Sequence, residues 1–422
     1  MNTKPQYQIA LFGLGVVGQG FFNLLQASQS RDVSIQYIVV KSKTKKRAVP
    51  QSLLVYDAAQ VWEDERVNLV VEATNDAQAA YEIIKNALLR RIPVVSASKK
   101  AIAQKLEDLV RLSRQTNTPF LYEAAVAASI PVLQTLDRYF AYEKPVAAGG
   151  ILNGTTNYIL SRIEQDGLSF NEALLLAQQA GFAEADPSSD VDGWDAAYKL
   201  TLLNLHAFGV LNDPAAVLRF SIRNLSRADR ELALLEGKSI RLVARSIQTR
   251  KGLASWVLPT LVPAGEGLGT IVQENNALQF DFPFNGPWFT AGKGAGSLPT
   301  GSAVLKDVQR LVTENYSYRY THLPVLSLSP LANDVSLELL LAGDDADFPA
   351  DFRLAGWRRF TDPSGRIVRR GWLVLPELQK WLGRLEEAGV SLLFTGAFQL
   401  HESRREALTG FGKPQKVISK PV

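Results

Sequence analysis

The residues that most restrict what this chain can fold into are Gly13-Leu14-Gly15-Val16-Val17-Gly18, because of what flanks them. They follow a short apolar run, Tyr7 to Phe12 (YQIALF), and precede a segment from Gln19 to Ser28 with Phe21, Leu24 and Leu25 on one helical side. Glycines at this spacing often arise by chance, but between a strand and a helix each has a separate task. Gly13 permits the tight turn, Gly15 lets a diphosphate approach the backbone, and Gly18 lets the helix pack closely on the strand. The helix then presents its first N–H groups to the phosphates. The pattern predicts a βαβ unit that holds a dinucleotide. Its bland counterpart is a glycine-rich turn with no ligand.

The alternation continues downstream. A second strand, Val33 to Val40, runs into Lys41, Lys43, Lys45, Lys46 and Arg47; helix-like DAAQVWED, strand Leu69 to Glu72, a helix from Ala77 to Arg90 and strand Pro93 to Ser96 follow. Strands alternating with helices of this length argue for a doubly wound parallel sheet of the Rossmann type, whose ligands bind beyond the carboxyl ends of the strands. Residues just after Val40, Glu72 and Val95 are therefore candidates for cofactor and substrate contact, Lys99 among them. A site that prefers NAD ends its second strand in Asp or Glu, which accepts hydrogen bonds from the ribose 2′-OH. No Asp or Glu occurs from Val33 through Tyr56, whereas Lys41 and Lys43 offer cations to a 2′-phosphate. NADP is the expected cofactor, with NAD as the alternative; a solvated loop is the other reading of the lysines.

Composition narrows the chemistry. A chain of 422 residues, 46% hydrophobic and 21% charged, has the balance of an ordinary globular protein and the length for two or three domains. With no cysteine, it has no disulfide, thiolate nucleophile, iron–sulfur cluster or Cys-type zinc site. Its histidines, His206, His322 and His401, are far apart in sequence, which argues against a transition-metal centre. The formal charge of +4 comes from 46 basic against 42 acidic residues. The lysine run accounts for that excess, and it sits between apolar segments rather than in a tail, so a nucleic-acid partner is not expected. No apolar run approaches the length of a membrane span. The opening MNTKPQYQ lacks an apolar signal core, and a cytoplasmic location is expected.

Farther along, Asn153-Gly154-Thr155-Thr156-Asn157 reads by itself as a helix cap or a turn. The segment Ala180 to Leu203 gathers Glu184, Asp186, Asp190, Asp192 and Asp195, with Lys199 at the i, i+4 position after Asp195. If a helix begins near Gly193, Asp195 and Lys199 share one face. On these residues alone the stretch reads either as a solvated acidic loop or as a set of ligand-holding carboxylates. It lacks the spacing and terminal Glu of a calcium loop.

GILNGTTNYIL (Gly150 to Leu160) and GFAEADPSSDVDGWDAAYKL (Gly181 to Leu200) resemble the two signature stretches of homoserine dehydrogenases. VVSASKKAIA, EAAVAASIP and GKGAGSLPTGSAVLKDV resemble further motifs of that family, so the likeness runs in order from Gly13 to about Val308. It implies reduction of L-aspartate 4-semialdehyde to L-homoserine with NAD(P)H, in threonine, methionine and isoleucine biosynthesis. It assigns Lys199 as proton donor and sets Lys99 beside substrate oxygen and the nicotinamide ribose. A lysine near another lysine and a cationic nicotinamide is expected to have a lowered pKa. Glu184 and Asp195 match carboxylates that hold the substrate, and Asp190 matches a further acidic position. Phe12, Gly13, Gly15, Val17, Gly18, Lys99, Gly181 and Gly296 match cofactor contacts. The likeness also implies a monovalent cation, sodium, held mainly by the backbone carbonyls of Glu123, Val126, Ala128 and Ile130. Three departures stand out: Ser98 replaces an Asn, Ala127 and Ala128 replace glycines, and Lys100 stands beside Lys99 as a second candidate.

The expected organisation is a nucleotide-binding domain at 1–130, with 301–325 returning to it, an α+β catalytic and dimerisation domain at 131–300, and a small α+β module at 330–422. Strands KSIRLVARSIQ, ASWVLPTLV and GTIVQENNALQF are expected to build the interface of a twofold homodimer, as the resemblance implies. Many relatives carry a regulatory ACT module after the catalytic core, but its usual opening is not visible here. The alternative enzyme is another NAD(P)-dependent dehydrogenase of an amino acid or semialdehyde, which the many carboxylates of DPSSDVDGWDAAYK disfavour unless its substrate carries an ammonium group. A nucleotide-sensing or nucleic-acid-binding protein rests on the lysine run alone.

Overall fold

The computed structural model describes residues 6–321, 325–362 and 364–401; His322 lies outside them. They fall into two compact units, one of 6–145, Tyr198–Pro214 and Gly292–Ser327, the other of Val146–Ala197, Ala215–Ala291 and 328–401.

In the first unit, β1 (Tyr7–Phe12), β2 (Val33–Val39), β3 (Leu54–Val55), β4 (Leu69–Glu72), β5 (Val94–Ser96) and β6 (Phe120–Leu121) form a sheet in the order β3-β2-β1-β4-β5-β6. Every pair in it is parallel. Strands covered on both faces need continuous apolar runs, and Ile9, Leu11, Val70, Val94 and Val95 are fully buried. Phe12 lies level with Val39 and Glu72, and Glu72 with Ser96, so the chain leaves these strands along one edge of the sheet. The strand order reverses at β1, which makes that edge the place where such sheets bind ligands. The first helix begins at Val16, earlier than the periodicity suggests, and ends at Ser28. The helix Ser297–Glu314 packs against it where Gly20 and Gly301 meet, and Ser297 Oγ donates to the Val16 carbonyl at 2.8 Å. Two short strands, β8 (Val210–Leu211) and β14 (Leu326–Ser327), pair separately.

The second unit is built on β7 (Ala147–Ile151), β9 (Leu218–Arg219), β10 (Lys238–Thr249), β11 (Gly252–Pro263), β12 (Asn275–Phe282), β13 (Gly286–Lys293), β15 (Val335–Gly343), β16 (Ala355–Thr361), β17 (Ile367–Val374) and β18 (Ser391–Leu400). Their order is β13-β12-β7-β10-β11-β18-β15-β17-β16, with β9 beside β11. The segment after Pro330, expected as a separate module, continues this sheet: β11 pairs with β18 in parallel, Thr260 opposite Phe394. Trp256 and Leu258 share one core with Leu337, Leu339, Leu378 and Leu392. The first residues of β18, SLLFT, are buried on both faces, as suits an interior strand covered above and below, and β11 and β15 flank it. The early boundary also moves, from 130 to 145. Within this part, β18-β15-β17-β16 has the strand order of a split βαβ sheet, with residues 344–354 in place of its first crossover helix.

Candidate active site

At the sheet edge of the first unit, Gly13 turns the chain with φ +91°, and a Cβ there would lie 2.6 Å from the Ala73 carbonyl oxygen, so the position admits only glycine. The first bond of the following helix runs from Gln19 N–H to the Gly15 carbonyl at 2.9 Å. The N–H groups of Val16, Val17 and Gly18 therefore face out of the helix end, where an anion is favoured. A Cβ on Gly15 would meet no atom within 4 Å, whereas one on Gly18 would come within 2.1 Å of the Gly13 carbonyl oxygen. Open space at Gly15 and a tight contact at Gly18 are what a diphosphate cradle requires. The Phe12 ring stacks on Trp62 with centroids 5.3 Å apart, which leaves its backbone as the part able to meet a cofactor.

Beside the cradle, Lys41 pairs with Asp76 at 3.0 Å, and the Lys43 ammonium lies 5.5 Å from the centre of the Tyr56 ring. Asp76 caps the helix Ala77–Leu89, and the Ala79 N–H and then Lys41 hold its carboxyl below the usual range. Lys41 thus brings less net charge to a 2′-phosphate than sequence reasoning assumes. Glu72, buried at the end of β4, accepts from Thr74 N–H and Oγ1, Ser96 Oγ and Ser98 Oγ. Burial pushes its pKa up and these bonds oppose the rise. Ser98, in the place of the family's Asn, is also 3.0 Å from the Thr74 carbonyl. Lys99 opens the next helix half-buried, while Lys100 is exposed.

The EAAVAASIP loop belongs to the same unit. Glu123 is buried, its carboxylate accepting from Leu133 and Gln134 N–H at 2.9 and 2.8 Å. Burial raises its pKa, and burial and the nearby Glu123 raise that of Asp307, whose Oδ2 accepts from Glu123 N–H. Ala128 keeps a positive φ, 48° with ψ −109°, despite its Cβ. The Glu123 carbonyl accepts from Val126 N–H at 3.3 Å and the Ile130 carbonyl from Val132 N–H at 2.8 Å, and a carbonyl oxygen has two lone pairs. Carbonyl oxygens suit a hard monovalent cation.

In the second unit, the acidic residues separate by environment. Asp192 pairs with Arg223 at 2.7 Å, and Asp186 accepts from Ser188, which lowers its pKa. Glu184 is exposed, and Gly181, at φ +77°, ends the helix Phe170–Gln179 nearby. Asp190 and Asp195 are brought together by a residue that sequence reasoning takes only for a cap: Asn153 Nδ2 donates to Asp190 Oδ1 at 2.6 Å and to Asp195 Oδ2 at 2.9 Å. Asp195 is 3% exposed and Lys199 6%, one turn apart on the helix Trp194–Phe208. The signals that pointed to Asn153 were the neighbouring turn formers and its place in the signature-like stretch Gly150 to Leu160. In the first unit, Gly296, with φ +119°, is the N-cap of the Ser297–Glu314 helix.

A parallel sheet wound in this order, a diphosphate cradle at its edge, and a buried lysine one turn from a buried carboxylate define a dinucleotide-dependent oxidoreductase. The family model described as "Homoserine dehydrogenase, NAD binding domain" matches residues 13–123, and that described as "Homoserine dehydrogenase" matches 131–309. The chain is 33% identical over 331 residues to a homoserine dehydrogenase of Neisseria gonorrhoeae, covering 76% of each chain. The crystal structure of a Thiobacillus denitrificans homoserine dehydrogenase has a TM-score of 0.79 at 25% identity, covering 92% of this chain and 98% of that one. A hyperthermophilic archaeal homoserine dehydrogenase in complex with NADPH has a TM-score of 0.63 at 24% identity, covering 74% and 99%. The chain belongs to the homoserine dehydrogenase family, and its activity is that of an NAD(P)-dependent homoserine dehydrogenase. No helix among the described residues is long and apolar enough to cross a membrane.

Proposed function

We propose that the enzyme works as an NADPH-dependent reductase of L-aspartate 4-semialdehyde in the biosynthesis of threonine, methionine and isoleucine, with Lys199 as proton donor. The observation that carries this reading is the pair of carboxylates gathered by Asn153, Asp195 of that pair lying one turn before buried Lys199. Asp190 and Asp195 bind the substrate ammonium, with Glu184 contributing from its exposed turn. Lys199 hands a proton to the aldehyde oxygen as it becomes the C4 hydroxyl, and Lys99 polarises that oxygen from its helix start. When bound, the nicotinamide supplies the hydride. Phe12, Gly13, Gly15, Val17 and Gly18 hold the diphosphate end, assisted by Gly296; for Gly181 a cofactor contact is assigned by the family likeness alone. Lys41 and Lys43 meet the 2′-phosphate; because Asp76 offsets Lys41, Lys43 carries the larger share. A sodium ion sits among the carbonyls of Glu123, Val126, Ala128 and Ile130. The enzyme is a cytoplasmic homodimer, an arrangement supported by β13, an edge strand that presents Phe289 43% exposed.

The test follows homoserine-dependent reduction of NADP and of NAD at 340 nm, with and without threonine, in the intact enzyme and in Lys199→Ala. Turnover with homoserine, a preference for NADP, and a fall in kcat of roughly 100-fold or more in the variant at a nearly unchanged cofactor KM are expected. Near-normal turnover of Lys199→Ala would remove it as the proton donor, and equal use of both cofactors would remove the 2′-phosphate assignment.

A further inference from the structure

Both ends of the Asn153 amide are committed. Its Oδ1 accepts from Thr156 N–H at 2.7 Å, which makes Asn153 the N-cap of the helix Gly154–Asp166. That bond settles the orientation of the amide, because an N–H donor can face only the oxygen. The Nδ2 group therefore points away from the helix, and it donates to Asp190 and Asp195 together. Asn153 is 4% exposed, so water does not compete freely for these bonds. The two carboxylates come from different segments, Asp190 from Ser188–Val191 and Asp195 from Trp194–Phe208, and a single amide ties both to the start of a third.

Two carboxylates held close repel each other, and without compensation one of them takes up a proton. Here the partial positive charge of the amide and the N-terminus of a 13-residue helix both favour the charged forms. The amide thus fixes the separation of two carboxylates, an arrangement complementary to a cation with several N–H donors.

We propose that Asn153 is a positioning residue that keeps Asp190 and Asp195 jointly ionised and correctly spaced for the ammonium group of the substrate, and so makes the enzyme selective for amino-acid substrates. This rests on the reading of Asp190 and Asp195 as substrate-binding groups. Asn153 itself touches the carboxylates and not the reacting atoms.

Asn153→Ser and Asn153→Asp separate this role from the cap, because Ser and Asp both cap helices well yet lack the amide donor. In the full-length enzyme both variants should keep a cofactor KM within about twofold; Asn153→Ser should stay close to the parent in thermal midpoint, whereas Asn153→Asp, which sets a third carboxylate against Asp190 and Asp195, should unfold at a lower temperature. The homoserine KM should rise, roughly 10-fold for Ser and 30-fold or more for Asp, as expected for loss of hydrogen bonds to charged groups. The acidic limb of the kcat/KM profile should move to higher pH, since one carboxylate now holds its proton longer. A capping role alone moves neither quantity. Asn153 is only a cap if both variants keep the homoserine KM within twofold and the acidic limb in place while Asp195→Asn loses substrate affinity. If Asp195→Asn also leaves the homoserine KM untouched, the substrate assignment itself fails and the role of Asn153 fails with it.

Discussion

Alanine at Gly15 and alanine at Gly18 should have opposite consequences, although the glycines lie in one turn and belong to one motif. A Cβ at Gly18 would lie 2.1 Å from the Gly13 carbonyl oxygen, and since both atoms belong to the backbone the helix must move away from the strand. Overpacking of this kind costs about 1–3 kcal/mol. For a unit of this size that corresponds to a fall of roughly 2–4 °C in Tm for each kcal/mol. A Cβ at Gly15 meets nothing within 4 Å, and its φ of −86° is open to any residue. The loss of a favoured N-cap glycine is offset by the smaller entropy of the unfolded chain, so the net effect on stability is about zero. The new methyl does fill the space through which the diphosphate reaches the N–H groups of Val16, Val17 and Gly18. Weakening hydrogen bonds to a charged group by about 1.5–3 kcal/mol raises the cofactor KM roughly 10- to 150-fold. Differential scanning calorimetry and initial-rate kinetics on the two variants measure these terms separately. The cradle assignment is refuted if Gly15→Ala lowers Tm as much as Gly18→Ala, or if its cofactor KM stays within twofold of the parent.

Three further outcomes can be checked. Lys43→Ala should raise the KM for NADP at least fivefold more than that for NAD, a difference of about 1 kcal/mol; equal changes exclude a 2′-phosphate contact. Ala128→Gly should be neutral or stabilising by about 1 kcal/mol, because relief of backbone strain worth about 1–3 kcal/mol outweighs the lost methyl. Ala127→Gly, at an ordinary φ next door, should cost about 1 kcal/mol by chemical denaturation, and the strain is absent if both variants behave alike. His206, whose Nε2 lies 3.0 Å from Tyr122 Oη, has its pKa lowered by burial from 6.5 to about 3. Below pH 6.5 the unfolded chain takes up a proton that the folded chain refuses, so this stabilisation is complete above 6.5 and lost as pH falls toward 3. Urea unfolding should show a loss of about 2 kcal/mol between pH 7 and pH 5 that His206→Gln lacks.

Much of the nucleotide-binding unit was legible because its signals are local. A strand buried on both faces must be apolar throughout, a glycine at φ +91° must be glycine, and Asp76 before a periodic segment marks a helix start. The acidic stretch shows the limit of such reading. Glu184, Asp186, Asp190, Asp192 and Asp195 look alike in sequence, yet Arg223 neutralises Asp192, Ser188 occupies Asp186, and only Asp190 and Asp195 meet on Asn153. Long-range partners of this kind leave no periodic trace.

The C-terminal segment makes the same distinction. Its strands and its helix follow from apolar alternation and from Pro376 near the helix start, all of which short stretches of chain encode. That β18 inserts beside β11 depends on a surface supplied by residues more than a hundred positions earlier. Element type, the phosphate turn and the lysine of the acidic helix were therefore determined by the sequence alone, since torsional preference and solvent exclusion act over a few residues. Which carboxylates are paired, which lysine is buried, and where the second unit ends were decided by the tertiary structure, because burial and charge compensation depend on what the rest of the chain brings into contact.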